Sequence, residues 1–434
     1  MEEPVIEEKP QAPKNWLTNY ALMWIGQILS LLGSSVVQFA LVWYLTEKTG
    51  SAVVLTTTML VGMVPEVFLG PFSGAIVDRL NRKMIMIVSD ALVALATLAL
   101  VFLFAAGWVQ LWHIYVIIFI RSLVGTFQYP AGAASISLMV PKEHLTRLAG
   151  INQAARGFLQ IAAPPLGALL IKFWPVQNVL AVDLVTAALA VFLLVLFVKV
   201  PQPKQTKAPE PISASALLKD VGEGFRYIYA WKGLLWLMIG ALLINMIATP
   251  AFSLLPLYVT QYYGKGATEL AWLESALGIG MIAGGLLLGV WGGFKRKIYT
   301  VICGNAGMGI GIILLGLLSK TMYQLAIPVM GLIGLTNGLT NGPFLAIFQT
   351  KIRPDMQGRI LTAVNSLAVG ATPLGLLLAG PLADTLGIKV FYLAAGVMCL
   401  LIAAGWLKTR QVYTLEDQEE GGRLAVEPAA SAEE

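Results

Sequence analysis

Charge is what this sequence has least of. Asp, Glu, Lys and Arg together make up 12% of its 434 residues, about half of the roughly 25% usual in soluble globular domains. Hydrophobic residues make up 57%, and the mean hydropathy is +0.76. A soluble enzyme, a disordered chain and a nucleic-acid-binding domain are all poor fits to that balance. Only two cysteines occur, Cys303 and Cys399, each inside an apolar run, which argues against a disulfide framework or a thiolate metal site. The only two histidines, His113 and His144, fall on opposite sides of the membrane in the topology below. No histidine-based metal site, triad or cofactor is therefore expected. A Gly-Lys-Ser/Thr phosphate loop is also missing, so any work done would draw on a gradient rather than on ATP hydrolysed by this chain. The first 15 residues are polar and acidic, and no cleavable signal peptide is expected.

What the chain has in abundance is long apolar runs. Crossing about 30 Å of hydrocarbon takes roughly 20 helical residues. On that ruler the sequence predicts about twelve spans, near 17–45, 52–77, 84–106, 110–139, 145–173, 177–199, 233–262, 269–294, 298–319, 322–349, 357–385 and 388–408. The predicted fold class is all-α integral membrane, with two six-helix pseudo-repeats. The expected organisation is an N-terminal tail over 1–15, a six-helix bundle over 16–200, a polar linker over 201–231, a second bundle over 232–410 and a disordered acidic tail over 411–434. Internal prolines in the fourth and fifth spans, Pro130 and Pro164-Pro165, are tolerable because neighbouring helices can satisfy the freed carbonyls.

Basic residues cluster in alternate loops: Arg79, Arg82 and Lys83; Lys142 and Arg147; Lys204, Lys207, Lys219 and Arg226; Lys295, Arg296 and Lys297; Lys351, Arg353 and Arg359. The loops between hold about one each, such as Lys48, Lys265 and Lys320. By the positive-inside rule both termini are expected in the cytoplasm. The net charge of +5 is thus spread over loops and forms no nucleic-acid patch. The halves also echo each other: 74–83 resembles 289–297, and a proline precedes an asparagine by eleven residues at Pro141 and Asn152 and again at Pro354 and Asn365. Such repeats predict a substrate path at their interface.

Ionisable groups inside spans each cost about 2.5–3.5 kcal/mol at a helix centre and mark function or pairing. Glu66, Arg121 and Arg156 are the foremost. Glu66, flanked by apolar residues, is a candidate proton carrier or, equally, a structural partner of either arginine. Asp90, Asp183, Glu274 and Asp384 lie nearer span ends, where structural hydrogen bonding is expected; Asp183 and Glu274 are secondary coupling candidates. Polar stripes at helical spacing are expected to line a cavity: Gln27, Ser30, Ser34 and Gln38; Gln128; Asn152, Arg156 and Gln160; Asn245, Thr249 and Ser253; with Asn337, Asn341 and Asn365 beyond. Interhelical hydrogen bonding, about 0.6 kcal/mol each, is the alternative for such groups. Gly278, Gly280, Gly284 and Gly285 loosely suggest a phosphate cradle, but inside an apolar span close helix packing explains them better.

Gly74, Asp78, Arg79, Arg82 and Lys83 form the pattern G-x-x-x-D-R-x-x-R-K between the second and third spans. It resembles the loop motif of the major facilitator superfamily. Ala163-Pro164-x-x-Gly167-Ala168 is similar to that family's antiporter motif G-P-x-x-G-G, with alanine at two glycine positions. Residues 43–55, 69–87, 119–122, 138–150 and 283–294 look like the bacterial macrolide-efflux branch of drug:proton antiporters, and the resemblance runs over about 16–410. It implies alternating access about a midplane site in the bacterial inner membrane, with Asp78 near the N-terminus of the eleventh span, where a helix dipole favours an anion. It also implies a small amphipathic substrate, macrolides foremost, exchanged for protons by a monomer. The same fold would serve to export a siderophore or flip a lysolipid; a receptor or a membrane-embedded enzyme is the remote alternative.

Overall fold

A computed structural model describes residues 15–77, 79–201, 226, 228–229, 231–351 and 354–416, with the side chains of 75, 142, 146, 345 and 348–369 outside the description. Among the described residues twelve long helices carry the fold. They are α1 (Trp16–Thr49), α2 (Ala52–Val77), α3 (Arg82–Ala105), α4 (Leu111–Met139), α5 (Lys142–Phe173), α6 (Val176–Leu196), α7 (Lys232–Ser253), α8 (Ala267–Trp291), α9 (Lys297–Leu317), α10 (Tyr323–Lys351), α11 (Pro354–Leu386) and α12 (Ile388–Lys408). A short α13 (Arg410–Tyr413) follows. Among the described residues, eleven helices are long and apolar enough to cross a membrane; α11, at 33 residues, has the length of a twelfth. The protein is a multi-pass membrane protein. Helix is the expected answer for such runs, because lipid offers no partner to an open backbone donor or acceptor.

Pro130 and Pro164-Pro165 sit inside α4 and α5, and Pro65, Pro71, Pro250, Pro373 and Pro381 sit inside other helices. The predicted seventh span to 262 is not one α-helix. α7 stops at Ser253, and the chain continues as a short turn, Leu255–Leu257, and a π-helical turn, Tyr258–Tyr262. Pro250 and Pro256 bracket this change, each removing an amide donor from the helical ladder. α8 ends at Trp291 because Gly292 and Gly293 take φ of +78° and +80°, a conformation natural to glycine.

Contacts divide the chain into two compact units, one within Met1–Leu41 and Val61–Ile212, the other within Val42–Leu60 and Ser213–Glu434. The first packs α3 against α4 and α6, around buried residues such as Met23, Met86, Ala131 and Leu194. In the second, α8 and α10 touch backbone to backbone. A Cβ added to Gly284 would lie 2.1 Å from the Leu335 carbonyl oxygen, and one added to Gly334 would lie 2.0 Å from that of Leu277. Helix packing thus accounts for Gly280 and Gly284.

Two carboxylates in the second unit cap distant helices. Asp384 of α11 accepts from Ala52 N (2.9 Å), Val53 N (3.3 Å) and Ser51 Oγ (3.2 Å), closing the open amides that begin α2. Glu416 accepts from Lys297 N (3.0 Å) at the start of α9, while Val412 and Leu415 of the same segment are fully buried.

Candidate functional site

Helical spacing brings the first site together. Gln27, Ser30 and Ser34 follow at intervals of three and four on α1 and so share one face. Asp90 on α3, Gln128 on α4, and Asn152 and Arg156 on α5 meet that face across a cavity of about 610 Å³ lined wholly by residues of the first unit. Trp24, Tyr129 and Gln153 complete its polar and aromatic wall. The Trp24 indole donates to Asn152 Oδ1, and the Arg156 guanidinium lies 4.7 Å from the centre of the Tyr129 ring.

Asp90 is buried in this wall at 2% exposure. Its carboxylate accepts from Gln27 Nε2 (2.9 Å), Ser30 Oγ (2.9 Å) and Gln128 Nε2 (2.8 Å). The same Gln128 nitrogen also donates to Gln27 Oε1 at 3.1 Å. The sequence offers a signal for this inward placement. Met86, Asp90, Val93, Thr97 and Leu100 form one buried helical stripe on α3, and a carboxylate on such a stripe faces the bundle whatever its distance from the helix end.

Arg121 forms a buried ion pair with Asp183 of α6 at 2.5 Å. Asp183 also accepts from Ser34 Oγ (2.8 Å) and Thr97 Oγ1 (2.9 Å), and Arg121 donates to Thr97 Oγ1 (2.6 Å). Four helices of the first unit therefore converge on one carboxylate. Gly33 permits it: a Cβ there would fall 2.1 Å from Thr186 Oγ1, so α1 and α6 approach only because α1 carries no side chain at that point.

Glu66 stands apart, exposed on α2, and Arg121 takes Asp183 rather than Glu66 as its partner. The reason is rotational. Ser122 and Ile118 are α4 residues that face α2 at Gly62, the Ser122 hydroxyl donating to its carbonyl, and Arg121 is turned roughly 100° away from Ser122. Gln38 is half-buried and Gln160 exposed, and neither lines the cavity. In the second unit Glu274 is half-buried on α8. Asn245 donates to the Ala241 carbonyl of its own helix (3.0 Å), as does Asn341 to Asn337 (3.1 Å), and Asn337 approaches Met308 sulfur (3.8 Å). The Asn365 side chain lies outside the described residues.

Of the α2–α3 loop motif, Asp78 lies outside the described residues. Gly74 is exposed and Arg79 half-buried. Asn81 caps α3 by accepting from Met84 N (3.1 Å), Arg82 donates to the Ala134 carbonyl (2.8 Å), and Lys83 donates to that of Val195 (3.2 Å). Arg82 and Lys83 thus fasten the start of α3 to α4 and α6.

Chemically, the first unit offers an amphipathic chamber: amides, two aromatic faces, one carboxylate and one guanidinium. Its volume sits within the roughly 300–1,000 Å³ of small-molecule sites. Comparison with known proteins places such a chamber in context. The nucleoside transporter NupG, 14% identical, superposes with a TM-score of 0.70 over 90% of this chain and 98% of its own. Macrolide efflux protein A of Streptococcus pyogenes is 32% identical over 390 residues, covering 90% of this chain and 95% of that one. Multidrug efflux pump Tap of Mycolicibacterium fortuitum is 27% identical over 378 residues, 85% and 90% of the respective chains. These relatives are transporters and not enzymes. The model of the Major Facilitator Superfamily matches residues 23–375 and 268–430, and the chain is a transporter belonging to that family.

Proposed function

We propose that this protein expels amphipathic drugs, macrolides among them, across the bacterial inner membrane in exchange for protons by alternating access. The observation that carries the reading is 32% identity over nearly the full length of a protein named for macrolide efflux. The 610 Å³ chamber supports it, since its aromatic and amide walls suit a bulky molecule with both polar and apolar faces. Gln27, Gln128 and Asn152 are the proposed substrate contacts. The alternating basic loops support cytoplasmic termini, and the family's habit supports a monomer.

A proton entering down the membrane potential supplies about 2.3 kcal/mol per 100 mV, enough to drive a drug up a concentration gradient. Glu66 is the proposed carrier, with Glu274 second. Asp183, held by Arg121, serves the coupling by positioning that arginine, and Arg156 supplies the chamber's positive charge. Asp78 latches the cytoplasmic side.

The test is proton release from energised inside-out vesicles on adding erythromycin, alongside siderophores, lysolipids and cationic dyes. Release with macrolides, lost in Glu66→Gln and Asp78→Asn, is the expected result. Loss of neither response discards those roles, and a response to siderophores or lysolipids alone keeps the transporter and discards the drug.

A further inference from the structure

Among the described residues two carboxylates lie buried in the first unit, and they are treated differently. Asp183 has a guanidinium at 2.5 Å. Asp90, equally buried, is bound by three neutral donors, two glutamine amides and a serine hydroxyl. A carboxylate inside a membrane protein without a cation is costly, and such groups mark substrate or ion pathways. Neutral hydrogen bonds lower that cost without cancelling the charge.

The acceptors also share a donor. One nitrogen, Gln128 Nε2, serves two acceptors at once, Asp90 Oδ1 at 2.8 Å and Gln27 Oε1 at 3.1 Å. Those two oxygens therefore already lie around one donor nitrogen at the chamber wall. A protonated amine entering there can point its N–H at Asp90 Oδ1, with Gln27 Oε1 beside the same positive charge, as Gln128 swings aside on its rotatable side chain. It brings the positive charge that Asp90 lacks. Trp24 and Tyr129 line the same chamber, and aromatic faces favour organic cations. The other charge in the chamber, Arg156, is on α5 and is drawn over the Tyr129 ring, 4.7 Å from its centre.

From this geometry we propose that Asp90 and Gln27 form the anchor for a protonated amine on the exported molecule, so that the chamber selects lipophilic amines over neutral compounds of the same shape. The proposal deepens the drug-export reading and rests on it for the identity of the cargo.

The test is equilibrium binding to the purified full-length protein in detergent at pH 7, with three probes. Erythromycin carries a protonated tertiary amine; erythromycin N-oxide has nearly the same shape without the ammonium N–H; tetraphenylphosphonium is an unrelated lipophilic cation. Wild type is expected to bind erythromycin at least tenfold more tightly than the N-oxide. Asp90→Asn should erase that preference by weakening erythromycin alone, and Asp90→Glu should restore part of it. Monodisperse elution and an unchanged unfolding temperature of each variant guard against misfolding. Equal binding of the two macrolides by wild type, or a preference that survives in Asp90→Asn, overturns the proposal while leaving drug export intact. Failure of both macrolides together with Asp90-dependent binding of tetraphenylphosphonium, which has no N–H to donate, overturns the amine anchor and leaves Asp90 as a site for positive charge alone. No binding of any probe overturns both.

Discussion

Arg121 and Asp183 meet at 2.5 Å inside the first unit, one on α4 and the other on α6, with Ser34 of α1 and Thr97 of α3 bonded to the same carboxylate. Asp183 is fully buried and Arg121 is 11% exposed, so water shields little of the attraction. The pair ties together four helices of one bundle and leaves Asp90 as the carboxylate facing the chamber.

Removing one member of this pair should hurt far more than removing both. Arg121→Met strands a buried carboxylate and Asp183→Leu a guanidinium, each at about 3–5 kcal/mol. The double variant Arg121→Met with Asp183→Leu leaves neither charge uncompensated. Thermal unfolding of the full-length protein in detergent should place both single variants well below wild type and the double variant above either single one. A double variant at the sum of the two losses would mean that the groups act independently.

Most of the architecture was legible because lipid leaves a sequence few options: runs of about 20 apolar residues with polar breaks become helices. The details that escaped depend on rotation and on long-range contact. Asp90 is expected to make structural hydrogen bonds and makes three, but its distance from a helix end does not tell that the Met86–Val93–Thr97 stripe turns it toward the chamber. Glu66 and Arg121 were natural partners by charge and depth, but the Ser122 contact with Gly62 turns Arg121 elsewhere. Asp384 caps a helix more than 300 residues away in sequence, a contact for which no local pattern exists.

The α8–α10 seam gives an internally controlled packing test. Alanine at Gly334 would set a methyl group 2.0 Å from a backbone carbonyl oxygen, whereas alanine at Gly285 meets nothing within 4 Å. Rigid backbone cannot yield as a side-chain tip can, so Gly334→Ala should lose about 1–3 kcal/mol. Gly285→Ala should unfold at the wild-type temperature or slightly above it, since alanine favours the helix. Equal unfolding temperatures for the two variants would contradict the close seam.

Asp384 supplies three acceptor contacts to the start of α2, where Ser51 is the nearest local capping group. Asp384→Ala should lower stability by about 0.5–2 kcal/mol, the range for loss of an N-terminal cap. Asp384→Asn, which keeps an acceptor oxygen, should fall between. Amide hydrogen exchange localises the effect: protection should drop at 52–55 and stay unchanged in α5. A uniform drop across the chain would assign Asp384 to global stability rather than to this cap.

Asn152 and Gln160 lie two turns apart on α5 and separate a chamber residue from an exposed one. Asn152 lines the cavity and accepts the Trp24 indole hydrogen; Gln160 is exposed and lies off that wall. In Asn152→Ala the indole loses its acceptor and the freedom it gains blurs one aromatic wall. A buried hydrogen bond contributes about 0.5–1.5 kcal/mol, and 1.4 kcal/mol is tenfold in affinity, so erythromycin should bind several-fold to tenfold more weakly. Gln160→Ala should bind as wild type does. Because both positions share one helix, a general loosening of α5 would weaken the two alike, and that result would remove Asn152 from the binding wall.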